Sequence, residues 1–390
     1  MFIEHQFVEA QGRAIALVIE RWKQNWPSMS LLALLPEAEK TQVALVQDAC
    51  RAQEVSLHGA IFPALIDSEG FRSHGVLLIC MGTTPGSFLL EEVQEEGATR
   101  FKAAIEDLMR ANPAIDDSRG TLFTIFDAML PHIGTLLNDT HAYLLKAPRY
   151  IGVNAGSESF QSMPCLFNND RLVQNGVLGL YFPQKMNSAV HHAYEESDIP
   201  FRATSATGNR IVKIDGQPAF AAYQKIIWER YAVELTKENF YDYAVHFPFG
   251  LVTAMDVLVR IPVGLGDDDS IVCVGEIAAN SMLRLLKAPA LSESLCAQDI
   301  GVILQSNTVE TVANSLLIFY CAGRRMHFDA DAATELKQIH SATGHKRMYG
   351  ALSLGEIDTL DDFEYPRLSA RVQYSSGVRA EGILREWSQS

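Results

Sequence analysis

The hydrophobic pattern of this chain changes near Tyr150, and that change limits its possible folds more than any other feature. Before it, segments of helical and strand period take turns. The pattern predicts helix over 8–23, strand over 30–35, helix over 37–52, and strands over 55–66 and 75–81. Helix over 89–111, the strand "TLFTIFD", helix over 130–145 and the strand "YIGVNAG" continue the alternation. Short crossovers of this kind favour parallel strand neighbours. Beyond Tyr150, strands follow one another directly, in "MPCLFNN", in "RLVQNGVLGLYF" and across 189–194.

The stretch "TGNRIVKIDGQPAFAAY" (207–223) then packs a hairpin turn, a half-buried strand, an Asp-Gly turn and a helix together without slack. Gly208 and Gly216 tolerate positive φ at little cost, and Pro218 suits a first helical turn, where its missing N–H goes unnoticed. Phe220, Tyr223, Ile227 and Tyr231 recur on one helix face, so the strand feeds a core-packed helix. The last third mixes strands at 251–261 and 270–277, a helix from about 292, the apolar strand "SLLIFYC", the helix "DAATELKQIH" and a closing strand or two. No internal repeat stands out. With 390 residues and no linker rich in Pro, Ser or Gly, the expected fold is α/β, becoming mixed α+β in the second half, in two packed lobes of layered sheets and helices.

Composition excludes several function classes. A net charge of −15 repels nucleic acid and anionic lipid. The longest apolar runs fall well short of the roughly 20 residues that cross a bilayer. The N-terminus has Glu4 and no basic n-region, so a cytoplasmic location is expected. Six cysteines stand singly, with no C-x-x-C pair for a zinc ribbon or a thioredoxin motif. Dinucleotide, phosphate-loop, zinc-protease and hydrolase-elbow motifs are missing from the sequence.

Five stretches, in order, carry a resemblance: "GAIFPALI" (59–66), "GVNAGSESF" (152–160), "VKIDGQPAFAAY" (212–223), "FYCAGRR" (319–325) and "GALSLGEI" (350–357). Together they make the chain resemble the FIST sensory proteins, N-terminal and C-terminal parts included, over nearly its whole length. The resemblance implies a FIST N-terminal-type lobe over 1–205 and a C-terminal-type lobe over 206–390. It implies a cytoplasmic ligand sensor in signal transduction and not an enzyme, with a sensor histidine kinase or a cyclic-di-GMP enzyme as partner. Its ligand would be haem b reporting nitric oxide, as in one stand-alone branch, or an amino acid or similar metabolite. An enzyme with a dispersed active site is the reading from another class.

Haem iron needs an axial imidazole in an apolar pocket. His191 and His192 sit on a predicted strand, whose period of two sends them to opposite faces. Val190 and Tyr194 share the face of His192, which makes His192 the first choice of metal ligand and His191 the second. Arg324 and Arg325 suit a clamp on a propionate or an amino-acid carboxylate, and an internal carboxylate such as Glu356 would serve them equally. Cys321 reads as a core thiol unless Arg324 lowers its pKa enough for a reactive or metal role. Asn154 and Ser157 lie in a Gly-flanked loop that could take a small polar ligand, or simply turn the chain.

Overall fold

A computed structural model describes residues 2–93, 97–111, 120–143, 149–253, 256–306, 315–345, 347–358, 367–369 and 372–376. The architecture is mixed α/β, with sheets packed against helices as the pattern predicts. Three six-stranded sheets share one plan. Each centres on a parallel pair joined through helix: Ser30–Pro36 with Ser56–Phe62, Thr121–Asp127 with Arg149–Ala155, and Ser315–Cys321 with Arg347–Ser353.

Antiparallel to the first strand of each pair runs a returning strand, Val76–Met81, Val177–Phe182 or Val372–Ser376. Outside that lies an edge strand, Phe2–Val8, Gly86–Leu90 or Asn187–His191. The remaining two strands of each sheet are a hairpin on loan from another unit. The hairpin of Leu65–Asp67 and Gly70–Arg72 joins the sheet of Arg347–Ser353. That of Leu166–Asn168 and Leu172–Val173 joins Ser56–Phe62, and that of Glu356–Asp358 and Arg367–Ser369 joins Arg149–Ala155. The loans close a ring, so the chain is a pseudo-threefold assembly of three similar units.

This is an internal repeat that the sequence pattern hides. Its trace is the run "SLLALLP", "TLFTIFD", "SLLIFYC" and a glycine at the fourth position of each following strand, Gly59, Gly152 and Gly350. Each glycine faces a large residue of the borrowed hairpin, Phe167, Ile357 or Ile66. A Cβ at Gly59 would overlap the Phe167 ring and one at Gly350 would overlap the Ile318 carbonyl. At Gly59 the absent side chain lets the borrowed strand close on the pair, and at Gly152 and Gly350 it lets the two parallel strands lie together.

Three more expectations are corrected. Residues 2–8 form a strand and the first helix begins only at Gly12, because Ile15, Val18, Ile19 and Trp22 set its buried stripe. The predicted helix over 89–111 is the end of strand Gly86–Leu90 followed by helix Gly97–Ala111, with 94–96 outside the described residues, as are 144–145 of the predicted helix 130–145. The predicted strand 55–66 divides at Pro63 into two strands of different sheets, since proline cannot donate to a ladder. Among the described residues, parallel pairing is confined to one pair in each of these three sheets.

The inner faces of the three sheets meet in one core. Phe62 and Phe123 both pack on Phe319, at ring centroid distances of 5.7 and 6.0 Å. The outer faces carry helices: Leu122, Phe126 and Tyr150 pack with Phe101, Ile105 and Leu137, and Ile318, Tyr320 and Leu352 with Ile300, Leu336 and Ile339.

An insert interrupts the third unit between its edge strand and its first helix. It is an eight-stranded antiparallel sheet running from Glu195–Thr207 to Ser281–Lys287 and covered by helix Ala219–Tyr231. Its first and last strands pair with each other, Glu195 opposite Lys287. The tight stretch foreseen in the sequence lies here. Asp215 and Gly216 turn at φ 48° and 81°, and Phe220, Tyr223 and Ile227 are buried, with the Tyr223 hydroxyl donating to the Phe247 carbonyl at 2.7 Å.

The two kinds of glycine obstacle give different outcomes. Gly59→Ala and Gly350→Ala should each cost roughly 3 kcal/mol in denaturant unfolding. The Gly59→Ala loss should be partly recovered in combination with Phe167→Ala, giving a coupling above about 1 kcal/mol. Gly350→Ala with Ile66→Ala should show none, because its obstacle is backbone.

Candidate functional site

The C-terminal ends of the third parallel pair are Cys321 and Ser353. From Cys321 the chain enters helix Ala322–Phe328 directly, and from Ser353 it turns through Gly355, at φ 141°, into Glu356. Across these ends lies the insert, and between the two is a narrow cleft. Cys321, Ala322, Gly323, Ser353 and Leu354 form its core side, Tyr241, Ile261, Val263 and Val274 its insert side, and Phe160 one end. Outside the carboxyl ends of parallel strands is where open α/β sheets take ligands. The walls are mostly apolar, and the free volume of about 10 Å³ has room for about one water. At Gly323 the core has no side chain facing the insert, and a Cβ there would stand 2.7 Å from the Ile261 side chain.

Polar groups gather under the cleft floor. The Ser353 hydroxyl donates to the buried Glu356 carboxylate. Burial pushes the Cys321 thiol up, and Glu356 pushes it further, while the N–H groups of Arg324 and Gly323 pull it down by a lesser amount. The balance makes Cys321 a protonated core thiol. At the mouth, Arg325 donates to both oxygens of Glu158 at 2.8 and 2.9 Å and lies over the Phe71 ring. The Tyr241 hydroxyl is pushed up to about 12 by burial and, less, by the charge of Glu158.

Arg324, 2% exposed, is held within the core by Glu335. Its Nε and Nη2 donate to the two oxygens of Glu335 at 2.7 and 2.5 Å, and its Nη1 donates to the His192 carbonyl at 2.6 Å. Ser294 and the Tyr320 hydroxyl complete the set on Glu335. The sequence signal for this carboxylate was Glu335 itself, an acid on the same face as Ala332, Leu336 and Ile339.

The two histidines do not alternate. Their strand ends at His191 and the backbone turns at Ala193 with φ 54°, so both rings lie nearly parallel, 6.0 Å apart. His191 Nε2 is 3.0 Å from the Asp299 carboxylate, and His192 Nδ1 accepts the Tyr194 N–H at 3.0 Å. Neither lines the cleft. A haem fills a cavity of hundreds of cubic ångströms beside a free imidazole nitrogen. These residues, in this arrangement, do not fit it.

Ser157 and Asn154 are both buried. The Ser157 hydroxyl bonds Glu37 at 2.8 and 2.9 Å and Ser159 at 2.7 Å. The Asn154 main chain bonds Gly355 and Leu354, and its Oδ1 is buried with no hydrogen-bond partner among the described residues. Of the residues singled out in the sequence, Cys321 lines the cleft, Glu356 bonds its lining residue Ser353, Arg325 pairs with Glu158, and His191, His192 and Arg324 do not line it. Sequence reasoning missed Tyr241, Ile261, Phe160 and Glu158. Glu158 stood in the quoted "GSESF"; the insert residues gave no local signal.

The FIST N domain matches residues 33–217 and the FIST C domain matches 219–358. An uncharacterized protein of Methanocaldococcus jannaschii is 22% identical over 325 residues, covering 77% of this chain. The chain spans 60% of that relative's length.

Removing one side of a buried ion pair strands the other charge. Glu335→Ala should therefore destabilise by about 3–5 kcal/mol in urea unfolding, whereas Glu158→Ala, at the partly exposed mouth, should cost under about 1 kcal/mol.

Proposed function

We infer the function from one premise: this chain belongs to the FIST family, whose domains sense small ligands in signal transduction. The reading is a small-ligand sensor whose guest occupies the cleft between insert and core. The carrying observation is the apolar seam at the C-terminal ends of Ser315–Cys321 and Arg347–Ser353, where Gly323 leaves just enough room for Ile261. A guest that fits such walls is small and mainly apolar, with one polar end for the hydroxyls of Tyr241 and Ser353. An amino acid with an apolar side chain meets that description if Arg325 leaves Glu158 for its carboxylate.

Binding must part the insert from the core. The bound state then differs from the free state in the position of a whole sheet, which supplies the differential affinity that signalling requires. The output is a contact with a partner, a sensor histidine kinase or a cyclic-di-GMP enzyme in a cytoplasmic setting. No described helix is long and apolar enough to cross a membrane.

A panel of amino acids and small apolar metabolites, screened by thermal unfolding, tests the reading. A true ligand at a hundredfold excess over its Kd should stabilise the protein by about 2.7 kcal/mol. Gly323→Val should abolish the response, and a shift that survives the substitution places the ligand elsewhere. A Soret band in protein purified with haem precursor would replace this reading with haem, and turnover of a panel member would replace it with an enzyme.

A further inference from the structure

Insert and core meet at a second place, behind the cleft. His246 lies just after the short helix Phe240–Ala244 of the insert, and His327 lies in the last turn of helix Ala322–Phe328 of the core. Their Nδ1 atoms face each other at 2.6 Å, with the rings edge-to-face. His327 Nε2 stands 2.8 Å from the Pro289 carbonyl, which can only accept, so Nε2 carries a proton. Val245, next in the chain, packs in the small cluster with Ile261, Leu286 and Cys321 that joins insert to core.

Proton positions follow from these two contacts. With Nε2 protonated, neutral His327 offers a lone pair at Nδ1, and His246 must donate from its own Nδ1. A first added proton goes to His246 Nε2, away from the contact, and turns the bond into a charge-assisted one. A second has only His327 Nδ1 to go to. There it sets two N–H groups head-on at 2.6 Å between two cations.

We propose that His246 and His327 form a latch that holds the insert on the core with zero or one added proton and releases it on the second. The groups facing the pair are Asp242 and Tyr243 from the insert, and Arg324, Glu335, Phe328 and the Pro289 carbonyl from the core. Burial, first, lowers both imidazoles from about 6.5. His327 then lowers His246 against an opposing Asp242, and Arg324 lowers His327 against the Pro289 bond and Glu335. With folded values depressed, the latch contributes fully above pH 6.5 and is lost as pH falls through the lower of those values, where the second proton binds. The latch acts whatever the cleft holds.

Hydrogen exchange by mass spectrometry on the full chain, corrected for intrinsic rates, tests it at pH 7.5 and pH 4.5. Acid should speed exchange at least tenfold in 262–265 and 322–328, with 316–320 unchanged. His246→Gln should remove that acid response, because an amide donates or accepts and carries no charge. Glu158→Gln should keep it, which separates the latch from the Glu158–Arg325 pair. Equal protection of the wild type at both pH values, or equal loosening of His246→Gln, overturns the proposal. Nitrogen-15 histidine spectra of the wild type supply a readout independent of variant folding. At pH 7.5 His246 Nδ1 should be protonated and His327 Nδ1 bare, and any other assignment also overturns it.

Discussion

Three backbone hydrogen bonds of one kind hold the molecule in its ring. The N–H of Ile61 donates to Cys165, that of Asn154 to Gly355 and that of Leu352 to Ala64, each at 2.8 Å. In every case the donor is the sixth residue of the second parallel strand, except that the acceptor belongs to another unit, just before its hairpin. No sheet is therefore complete within its own unit, and all three close only when the ring does. An isolated unit would expose a strand with neither its neighbour nor its buried face. The pairing of Glu356 with Val153 spans about half the chain, so the ring closes late and folding of this core is slow for its size.

Departures from the threefold plan mark the places where something other than closure is served. After the second parallel strand, Gly156 donates to Ile61 and Leu354 donates to Asn154, but the matching residue in the first unit is Pro63, which has no N–H to give to Leu352. The strand ends differ too, with Pro36, Asp127 and Cys321 in equivalent places. Among the described residues the insert interrupts the third unit alone, lying across its strand ends and reaching the second unit through Glu276, which accepts from the Thr135 N–H at 2.6 Å. The cleft is a product of that asymmetry.

How much of this could be read from the sequence depends on distance along the chain. The helix at 332–343 and the strands "TLFTIFD" and "SLLIFYC" follow from period alone, because each buries a face that its own residues define. The turn at Asp215-Gly216 was equally legible, since its φ values demand those residues. The loaned hairpins were not, because a strand of three residues has too little period to reveal its sheet. Arg324, Arg325, Cys321 and Glu356 drew notice by type, yet their division between core and cleft turned on Glu335 and Ile261, which lie on other elements. The histidines were placed on opposite faces by a strand period that stops one residue too soon.

The insert departs and comes back on adjoining rungs, Glu195 opposite Lys287, whose side chains also pair. A segment grafted through such a two-stranded stem is topologically neutral for its host. It can be swapped for a longer, shorter or unrelated domain without rethreading the loop of sheets, which gives this architecture a socket for changing what it perceives while its frame stays constant.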